Sequence, residues 1–320
     1  MRTEGCRIGI DLGGTKTEGV LLGSDPVAPL ARRRIPTPRG SGYASILSAV
    51  VDLARSLLDE AAGDVPGIGV GIPGTISGTH RRVKNANTTE LIGHPLEDDL
   101  ASALGIAVRC ENDANCFALA EALHGAGRGA RCVFGVILGT GVGGGIVHDG
   151  VVWPGAQGIA GEWGHNLLDA GGPPCYCGRR GCVETFLSGP ALARAYREAG
   201  GGTGGSADEG SREGGRNREA TARDVFEREA EGDPIARAVL AEYRRRLGQG
   251  LAQVVNILDP DVIVLGGGVS NAPGLAESAP DLLFPFLFND ESTTVVRRHE
   301  LGDSAGVLGA AWLDPRERIR

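Results

Sequence analysis

The stretch Arg7-Ile-Gly-Ile-Asp-Leu-Gly-Gly-Thr-Lys16 is an apolar segment that ends in a glycine-rich turn. Short apolar runs bounded by glycine are typical of buried strands. The segment Val133-Phe-Gly-Val-Ile-Leu-Gly-Thr-Gly141 repeats the pattern in the second half, and each half continues into a strand or hairpin. Two halves with the same order predict an internally duplicated α/β fold with two lobes and a cleft between them.

Further elements follow from periodicity. Apolar residues at helical spacing predict an amphipathic helix over 41–62, and Ala114–Gly125 is also expected to be helical. We place the small lobe at 1–115, with a helix in 304–320 packing back on it, and the large lobe at 116–303. The remaining predicted strands are 17–22, 30–35, 68–72, 107–110, 146–148, 151–152 and 261–265, and the remaining helices are 190–198, 220–231, 234–257 and 306–313.

Composition limits the function classes. The net charge is −8 and no basic patch stands out, so nucleic acid is not an expected partner. No apolar run reaches 18 residues and no signal peptide is evident, so we expect neither membrane insertion nor export. Seven cysteines, three of them in a metal pattern, favour a reducing cytoplasm. The glycine-rich segment 200–218 holds no apolar residue larger than alanine, which predicts a disordered insertion.

A metal-binding pattern lies between Glu162 and Glu184. His165 is followed by Cys175, Cys177 and Cys182, and one imidazole with three thiolates suits a tetrahedral zinc site. The alternative is a disulfide with one spare thiol. Four protein ligands would leave no open position, so a zinc ion there is expected to be structural. The other four cysteines have apolar, small-residue neighbours and are expected to be buried packing residues.

Three glycine turns follow apolar strands, namely Gly13–Lys16, Gly139–Gly141 and Gly266–Gly268. Glycines let backbone N–H groups approach an anion closely, so the turns are candidate phosphate-binding sites. None has the Walker A or dinucleotide spacing. Asp11 precedes the first turn and either serves a Mg²⁺ ion, usually through water, or caps the turn.

Asp113 follows a predicted strand and opens a predicted helix. It either accepts a proton from a substrate hydroxyl or caps the helix, and local sequence does not separate the two. Amide and carboxylate groups suited to a polyhydroxylated ligand occur at Asn85, Asn87, Glu162, His165 and Glu184. One nitrogen of His165 can bind zinc while the other contacts a ligand oxygen.

Taken together, these motifs resemble the ROK family of sugar kinases and sugar-sensing repressors, within the actin/hexokinase/Hsp70 superfamily. The likeness spans almost the whole chain, apart from 200–218. It implies a two-lobed, ribonuclease H-like ATPase fold with a structural zinc site. The matching segments are 11–16, 71–74, 84–87, 111–116, 138–145, 161–165, 175–184 and 266–268.

The resemblance also implies a role for each matching residue. Asp113 would be the catalytic base, and Asp11 would hold Mg²⁺. ATP would be bound by the glycine turns, through Gly13, Gly14, Thr15, Lys16, Gly139, Thr140, Gly141, Gly267 and Gly268. The sugar would be bound by Gly74, Asn87, Asn112, Glu162, His165 and Glu184. Zinc would be held by His165, Cys175, Cys177 and Cys182.

Within the family the chain is similar to bacterial fructokinases that also accept mannose, which predicts an ATP:hexose 6-phosphotransferase acting on D-fructose. N-acetylglucosamine kinases and glucokinases of the family are the alternative. The segment from His165 to Cys175 looks shorter than in the fructokinase relatives. A ROK repressor is disfavoured because the first strand begins at Arg7, with no helix-turn-helix before it. The resemblance also implies a homodimer.

Overall fold

The structure is a computed structural model that describes residues 5–202 and 220–314. Most of the predicted glycine-rich insertion, residues 203–218, therefore lies outside the described residues. The described chain divides into two compact units, one of residues 5–135, 144–161 and 299–314 and the other of residues 136–143, 162–202 and 220–298. The predicted lobe boundary at residue 115 falls inside the first unit. The predicted bounds of the lobes stay a prediction.

The described residues form twelve strands in three sheets. The first sheet has the order β3-β2-β1-β4-β7, the second has the order β10-β9-β8-β11-β12, and β5 pairs with β6. The strands are β1 (Arg7–Leu12), β2 (Lys16–Leu22), β3 (Pro29–Pro36), β4 (Ile68–Ile72), β5 (Thr75–Ile76), β6 (Val83–Lys84), β7 (Val108–Asn112), β8 (Cys132–Leu138), β9 (Val142–His148), β10 (Val151–Val152), β11 (Val262–Gly266) and β12 (Val295–Arg298).

Nine α-helices accompany these strands in the part of the chain that the structure describes. They are α1 (Tyr43–Leu58), α2 (Leu96–Leu104), α3 (Asp113–His124), α4 (Glu184–Leu187), α5 (Gly189–Glu198), α6 (Ala222–Ala230), α7 (Pro234–Leu258), α8 (Leu275–Leu283) and α9 (Ala305–Trp312). None of them is long and apolar enough to cross a membrane.

The first sheet mixes two kinds of pairing. Strand β1 is antiparallel to β2 and parallel to β4, which is in turn parallel to β7. Strand β4 is buried along its whole length, as expected of a parallel strand in the middle of a sheet. One face of α1 completes the core through Ile46, Val50 and Leu57. The carboxyl ends of three neighbouring parallel strands therefore lie along one edge of the sheet.

Helix α9 packs directly on this sheet, and glycines make the close approach possible. A Cβ atom on Gly9 would overlap Val307 O, and one on Gly69 would overlap Ala310 O. Side chains at these two positions would push the helix off β1 and β4. The last helix of the described chain is therefore part of the same unit as the first strand.

Most predicted elements are confirmed, with shifted ends. Helix α1 is shorter than the predicted 41–62, and the β9–β10 hairpin turns at Asp149-Gly150 as expected. One predicted strand is too short: β9 begins at Val142 and not at residue 146, so Gly143–Gly145 belong to the strand. Close packing explains these glycines, since a Cβ on Gly145 would lie 2.5 Å from Ala114 O. Elements β5, β6, α2, α4, α8 and β12 were not predicted.

Candidate active site and metal centre

Candidate residues of the first unit gather at the carboxyl ends of β1, β4 and β7. Asp11 pairs in register with Gly71, and Ile72 pairs with Asn112. Ligands of α/β proteins commonly bind at this end of parallel strands. The arrangement therefore brings Asp11 close to Asp113, near enough for the two carboxylates to influence each other.

Asp113 is the first residue of α3, and the helix cap is its neighbour. The side chain of Asn112 accepts a hydrogen bond from Ala114 N at 2.9 Å, which makes Asn112 the N-cap. The exposed Asp113 carboxylate also accepts from Ala114 N, at 2.8 Å. A helix N-terminus favours negative charge, so this position stabilises an ionised carboxylate. Asn112 therefore provides the helix cap that was one of the two predicted roles for Asp113.

Buried Glu111 supports this turn from below. Its Oε1 accepts from Asn112 N at 2.9 Å and from Asn115 Nδ2 at 2.9 Å, and its side chain is 2% exposed. Arg109 Nη2 lies 3.5 Å from the other carboxylate oxygen. Glu111 therefore fixes both the backbone before Asp113 and the first turn of α3.

Gly74 and Asn87 lie next to Asn112. The Asn112 amide donates to Gly74 O at 3.2 Å, and Asn87 N donates to Pro73 O at 3.0 Å. A Cβ on Gly74 would lie 2.8 Å from Lys84 O, so only glycine allows the loop after β6 to pack here. The structure thus brings together Gly74, Asn87 and Asn112, which the family resemblance assigns to the sugar, beside Asp113, the predicted base; these roles stay predictions.

The first glycine turn connects the antiparallel strands β1 and β2. Thr37 Oγ1 donates to Gly13 O at 2.8 Å and Thr37 N to Thr15 O at 3.0 Å, so the turn is anchored from the end of β3. Thr15 and Lys16 are exposed. Arg39 approaches Gly14 and donates to Asn87 O at 3.2 Å. A guanidinium and an ammonium therefore flank a turn that was predicted to bind phosphate.

The surroundings of Asp11 disfavour the ionised form of its carboxyl group. Burial, followed by the carboxylates of Asp113 and Glu18, raises the pKa of Asp11 from 3.8 to about 7, while Lys16 acts in the opposite direction. A cation beside Asp11 would relieve this cost, because an opposite charge favours the ionised form. The environment therefore suits a carboxylate that serves a divalent ion.

The Asp11 pKa gives a testable prediction on stability. The pKa of Asp11 is higher in the folded protein than in the unfolded chain. Its contribution to folding stability is therefore complete below pH 3.8 and is lost as the pH rises through about 7. Asp11→Asn should therefore stabilise the cation-free protein by about 2 kcal/mol at pH 8 and by much less at pH 4.5. Urea unfolding of both proteins at the two pH values measures this. An equal difference at both values would contradict the burial of a charged Asp11.

The other two glycine turns lie together in the second unit. Gly139 follows β8 and Gly267 follows its neighbour β11, with a φ of 82° at Gly267. A Cβ on Gly267 would lie 2.5 Å from Leu138 O, so the two strand ends are in close contact. Gly189 N, at the start of α5, donates to Gly139 O at 2.8 Å. Three chain segments thus meet at the predicted nucleotide turns.

A cavity of about 1070 Å³ opens at this meeting point. Its walls include Gly139, Thr140 and Gly268, all predicted to bind nucleotide. The rest of the wall comes from α5, from α6 and from the segment after β11. Residues there that the sequence did not single out include Arg197, Thr221, Phe226 and Asn271.

Glu184 contacts the backbone just after the second glycine turn. Its Oε2 accepts from Val142 N at 2.9 Å, and a Cβ on Gly141 would lie 2.7 Å from the same oxygen. Glu184 is also the first residue of α4, two positions after Cys182. One carboxylate therefore links the glycine turn to the cysteine cluster.

His165, Cys175, Cys177 and Cys182 form a compact cluster whose candidate ligand atoms all lie within 4.8 Å of one another. Cys177 Sγ is 3.6 Å from Cys182 Sγ, and Cys175 Sγ is 3.6 Å from His165 Nδ1. A tetrahedral zinc ion requires ligand atoms about 3.5–3.8 Å apart, so these two distances suit one. All seven cysteines are free, and the four outside the cluster are buried as predicted.

The second nitrogen of His165 contacts Tyr176. Tyr176 Oη lies 3.0 Å from His165 Nε2, and the two rings meet edge to face at 5.2 Å. Desolvation raises the pKa of Tyr176 to about 12, and the carboxylates of Glu184 and Glu162 act in the same direction. The hydroxyl of Tyr176 thus lies where the sequence predicted a ligand oxygen.

A sequence model of the ROK family matches residues 7–317 of the chain. The chain belongs to the ROK family. It is 34% identical to the N-acetyl-D-glucosamine kinase of Yersinia pseudotuberculosis serotype O:1b (strain IP 31758), with 97% of this chain and 99% of the relative aligned.

Two solved structures of ROK proteins are similar to the whole chain. A ROK hexokinase from Thermus thermophilus matches with a TM-score of 0.81 and 34% identity over 96% of each chain. A ROK family glucokinase from Streptomyces griseus, solved in complex with glucose and AMPPNP, matches with a TM-score of 0.77 and 30% identity, over 96% of this chain and 98% of the other. The predicted family and α/β fold class are confirmed.

Proposed function

We propose that this ROK protein is an ATP-dependent sugar kinase that transfers the γ-phosphoryl group to the 6-hydroxyl of a hexose, with N-acetyl-D-glucosamine as its preferred substrate. The observation that carries the proposal is the exposed carboxylate of Asp113 at the start of α3, held in place by Glu111 and Asn112. The family and the similarity to named sugar kinases support the reaction class.

Asp113 acts as the general base in this proposal. The oxygen of the 6-hydroxyl attacks the γ-phosphorus, the bond from that phosphorus to the β–γ bridging oxygen breaks, and ADP leaves. The hydroxyl proton passes to the Asp113 carboxylate. The fixed backbone around Asp113 keeps the carboxylate oriented, so little ordering is required when the sugar binds.

Asp11 would serve Mg²⁺, through water, at the end of β1. When bound, the ion offsets the charge of the transferring phosphates. Lys16 and Arg39 supply further positive charge beside the turn of Gly13, Gly14 and Thr15.

The large cavity of the second unit would hold the nucleotide. Gly139, Thr140 and Gly141 would receive the phosphates, and Gly267 and Gly268 would lie against the adenosine. The cavity lining and the glycines of the turns support this placement, since glycine lets backbone N–H groups approach phosphate closely.

The family resemblance assigns residues in each unit to the sugar. In the first unit they are Gly74, Asn87 and Asn112, which lie together beside Asp113. In the second unit they are Glu162, Glu184 and His165, and one ring nitrogen of His165 faces the cysteines while the other contacts Tyr176 Oη. His165, Cys175, Cys177 and Cys182 would occupy all four coordination positions of a tetrahedral zinc ion. The role of the zinc would therefore be to hold these side chains in place.

The comparisons support the N-acetylglucosamine alternative better than the fructose prediction. A relative named as an N-acetyl-D-glucosamine kinase covers nearly the whole chain, and the similar ROK structures are a hexokinase and a glucokinase. The fructokinase resemblance rested on short motifs that ROK kinases share. The homodimer, the cytoplasmic location and the lack of a nucleic-acid partner stay predictions.

A coupled ADP-release assay tests the proposal. With MgATP, we expect kcat/KM to be highest for N-acetyl-D-glucosamine, ahead of D-glucose, D-mannose and D-fructose. A preference for fructose would restore the sequence-based prediction and overturn the substrate proposed here. ADP release that does not depend on any of the four sugars would overturn the hexose kinase itself.

A further inference from the structure

Tyr176 has an unusual position for a large aromatic residue. It lies between two cysteines of the metal cluster, and 73% of its surface is exposed. Its hydroxyl is 3.0 Å from His165 Nε2, and within the described residues this is its one hydrogen-bond partner. Because little of its surface is buried, the Tyr176 ring contributes little to folding stability. The hydroxyl is the part of the side chain that makes a specific contact.

The direction of that hydrogen bond follows from the other face of the imidazole. His165 Nδ1 points at Cys175 Sγ and into the cysteine cluster. With a metal on Nδ1, the ring hydrogen is on Nε2, which donates to Tyr176 Oη. The tyrosine oxygen is then an acceptor, and its own O–H remains as a donor for another partner.

The surroundings of the hydroxyl match the expected sugar site. Glu162 lies three residues before His165 and Glu184 two residues after Cys182, so both predicted sugar-binding carboxylates flank the cluster that holds Tyr176. Carboxylates only accept hydrogen bonds, so they suit the donor hydrogens of a sugar. Near Tyr176 the site therefore combines acceptors for sugar hydroxyls with one fixed donor.

We propose that Tyr176 is a specificity-determining residue whose hydroxyl donates a hydrogen bond to an acceptor oxygen of the sugar, with the carbonyl oxygen of an acetamido substituent as the best match. A carbonyl oxygen accepts and never donates, so it pairs with a fixed O–H donor without competition. A hydroxyl at the same place can find other partners and depends less on Tyr176. This inference rests on the sugar kinase proposed above.

Tyr176→Phe tests it, because phenylalanine keeps the ring and removes only the hydroxyl. Sugar binding to the zinc-loaded protein is measured by titration calorimetry without nucleotide, alongside KM, kcat and zinc content. We expect Kd and KM for N-acetyl-D-glucosamine to rise about tenfold. A tenfold change corresponds to about 1.4 kcal/mol, which is typical of one lost hydrogen bond. The same constants for glucose should change less than about threefold, with kcat and zinc content nearly unchanged.

Tyr43→Phe is the matched control. The Tyr43 hydroxyl donates to Asp99 at 2.6 Å, and neither residue is assigned to sugar, nucleotide or metal, so its loss should change stability and leave sugar affinity alone. Equal changes for both sugars in Tyr176→Phe, or none, would overturn the inference while the kinase stands. Loss of zinc from Tyr176→Phe would show a structural role instead. Failure of the wild-type protein to bind either sugar would overturn the proposed function itself.

Discussion

Asp113→Asn is expected to lower kcat by about 10²- to 10⁴-fold while the Kd for the sugar changes less than about threefold. Asparagine has the same shape and can still accept from Ala114 N, so α3 and its cap stay intact. It cannot take the proton of the sugar hydroxyl. Steady-state kinetics combined with calorimetric sugar binding separates the loss of chemistry from a loss of affinity.

Asp149→Asn is a suitable control for that variant. Asp149 is exposed in the β9–β10 turn with a φ of 50°, a conformation that asparagine tolerates well, so kcat should not change. A normal kcat in Asp113→Asn would remove Asp113 from the chemistry. A large rise in sugar Kd with little change in kcat would make it a binding residue.

Cys182→Ala is expected to abolish zinc binding and to lower the melting temperature by roughly 10 °C or more, because binding a structural metal contributes directly to folding. Cys182 is 1% exposed and lies 3.6 Å from Cys177 Sγ, so its loss removes one of the four candidate ligands from a buried position. Sugar affinity should fall as well, since Glu184 follows two residues later and holds Val142 N. Metal analysis and thermal unfolding measure both effects.

Cys6→Ala is the matched control, because it also removes a buried thiol but lies outside the cluster. It should keep one zinc ion per chain. Wild-type protein purified without zinc, or a Cys182→Ala variant with full zinc content, would contradict the metal site.

The elements that the sequence predicted have strong local signals. Strands β4, β8 and β11 are short apolar runs bounded by glycine, and both periodicity and turn chemistry indicate them. The elements that were not predicted have weak or conflicting local signals. Helix α8 contains Pro280, which argues against a helix, and β12 buries one of its four residues. Helix α2 did carry a signal, with Leu96, Leu100 and Leu104 four residues apart.

In the candidate site, too, some residues were predictable from the sequence and others were not. The metal residues lie within 18 positions, so their spacing alone indicated the cluster. The contacts of Glu111 depend on the register of β7, and the contact of Tyr176 depends on a side-chain rotamer, which spacing does not specify. The α6 wall of the cavity comes from packing of segments far apart in the chain. Chemistry carried by neighbours in sequence was predictable, whereas chemistry assembled by packing was not.

The place of α9 against β1 and β4 has a consequence for synthesis on the ribosome. Strand β1 emerges about 290 residues before α9, which at about 5–20 residues per second is a delay of roughly 15–60 s. During that interval the face of the sheet that Gly9 and Gly69 leave open for α9 has no partner. The second unit waits for a shorter time, because only about 120 residues separate β8 from its partner β11. We therefore expect the second unit to mature first, and the nascent first unit to be the part of the chain that depends on chaperones.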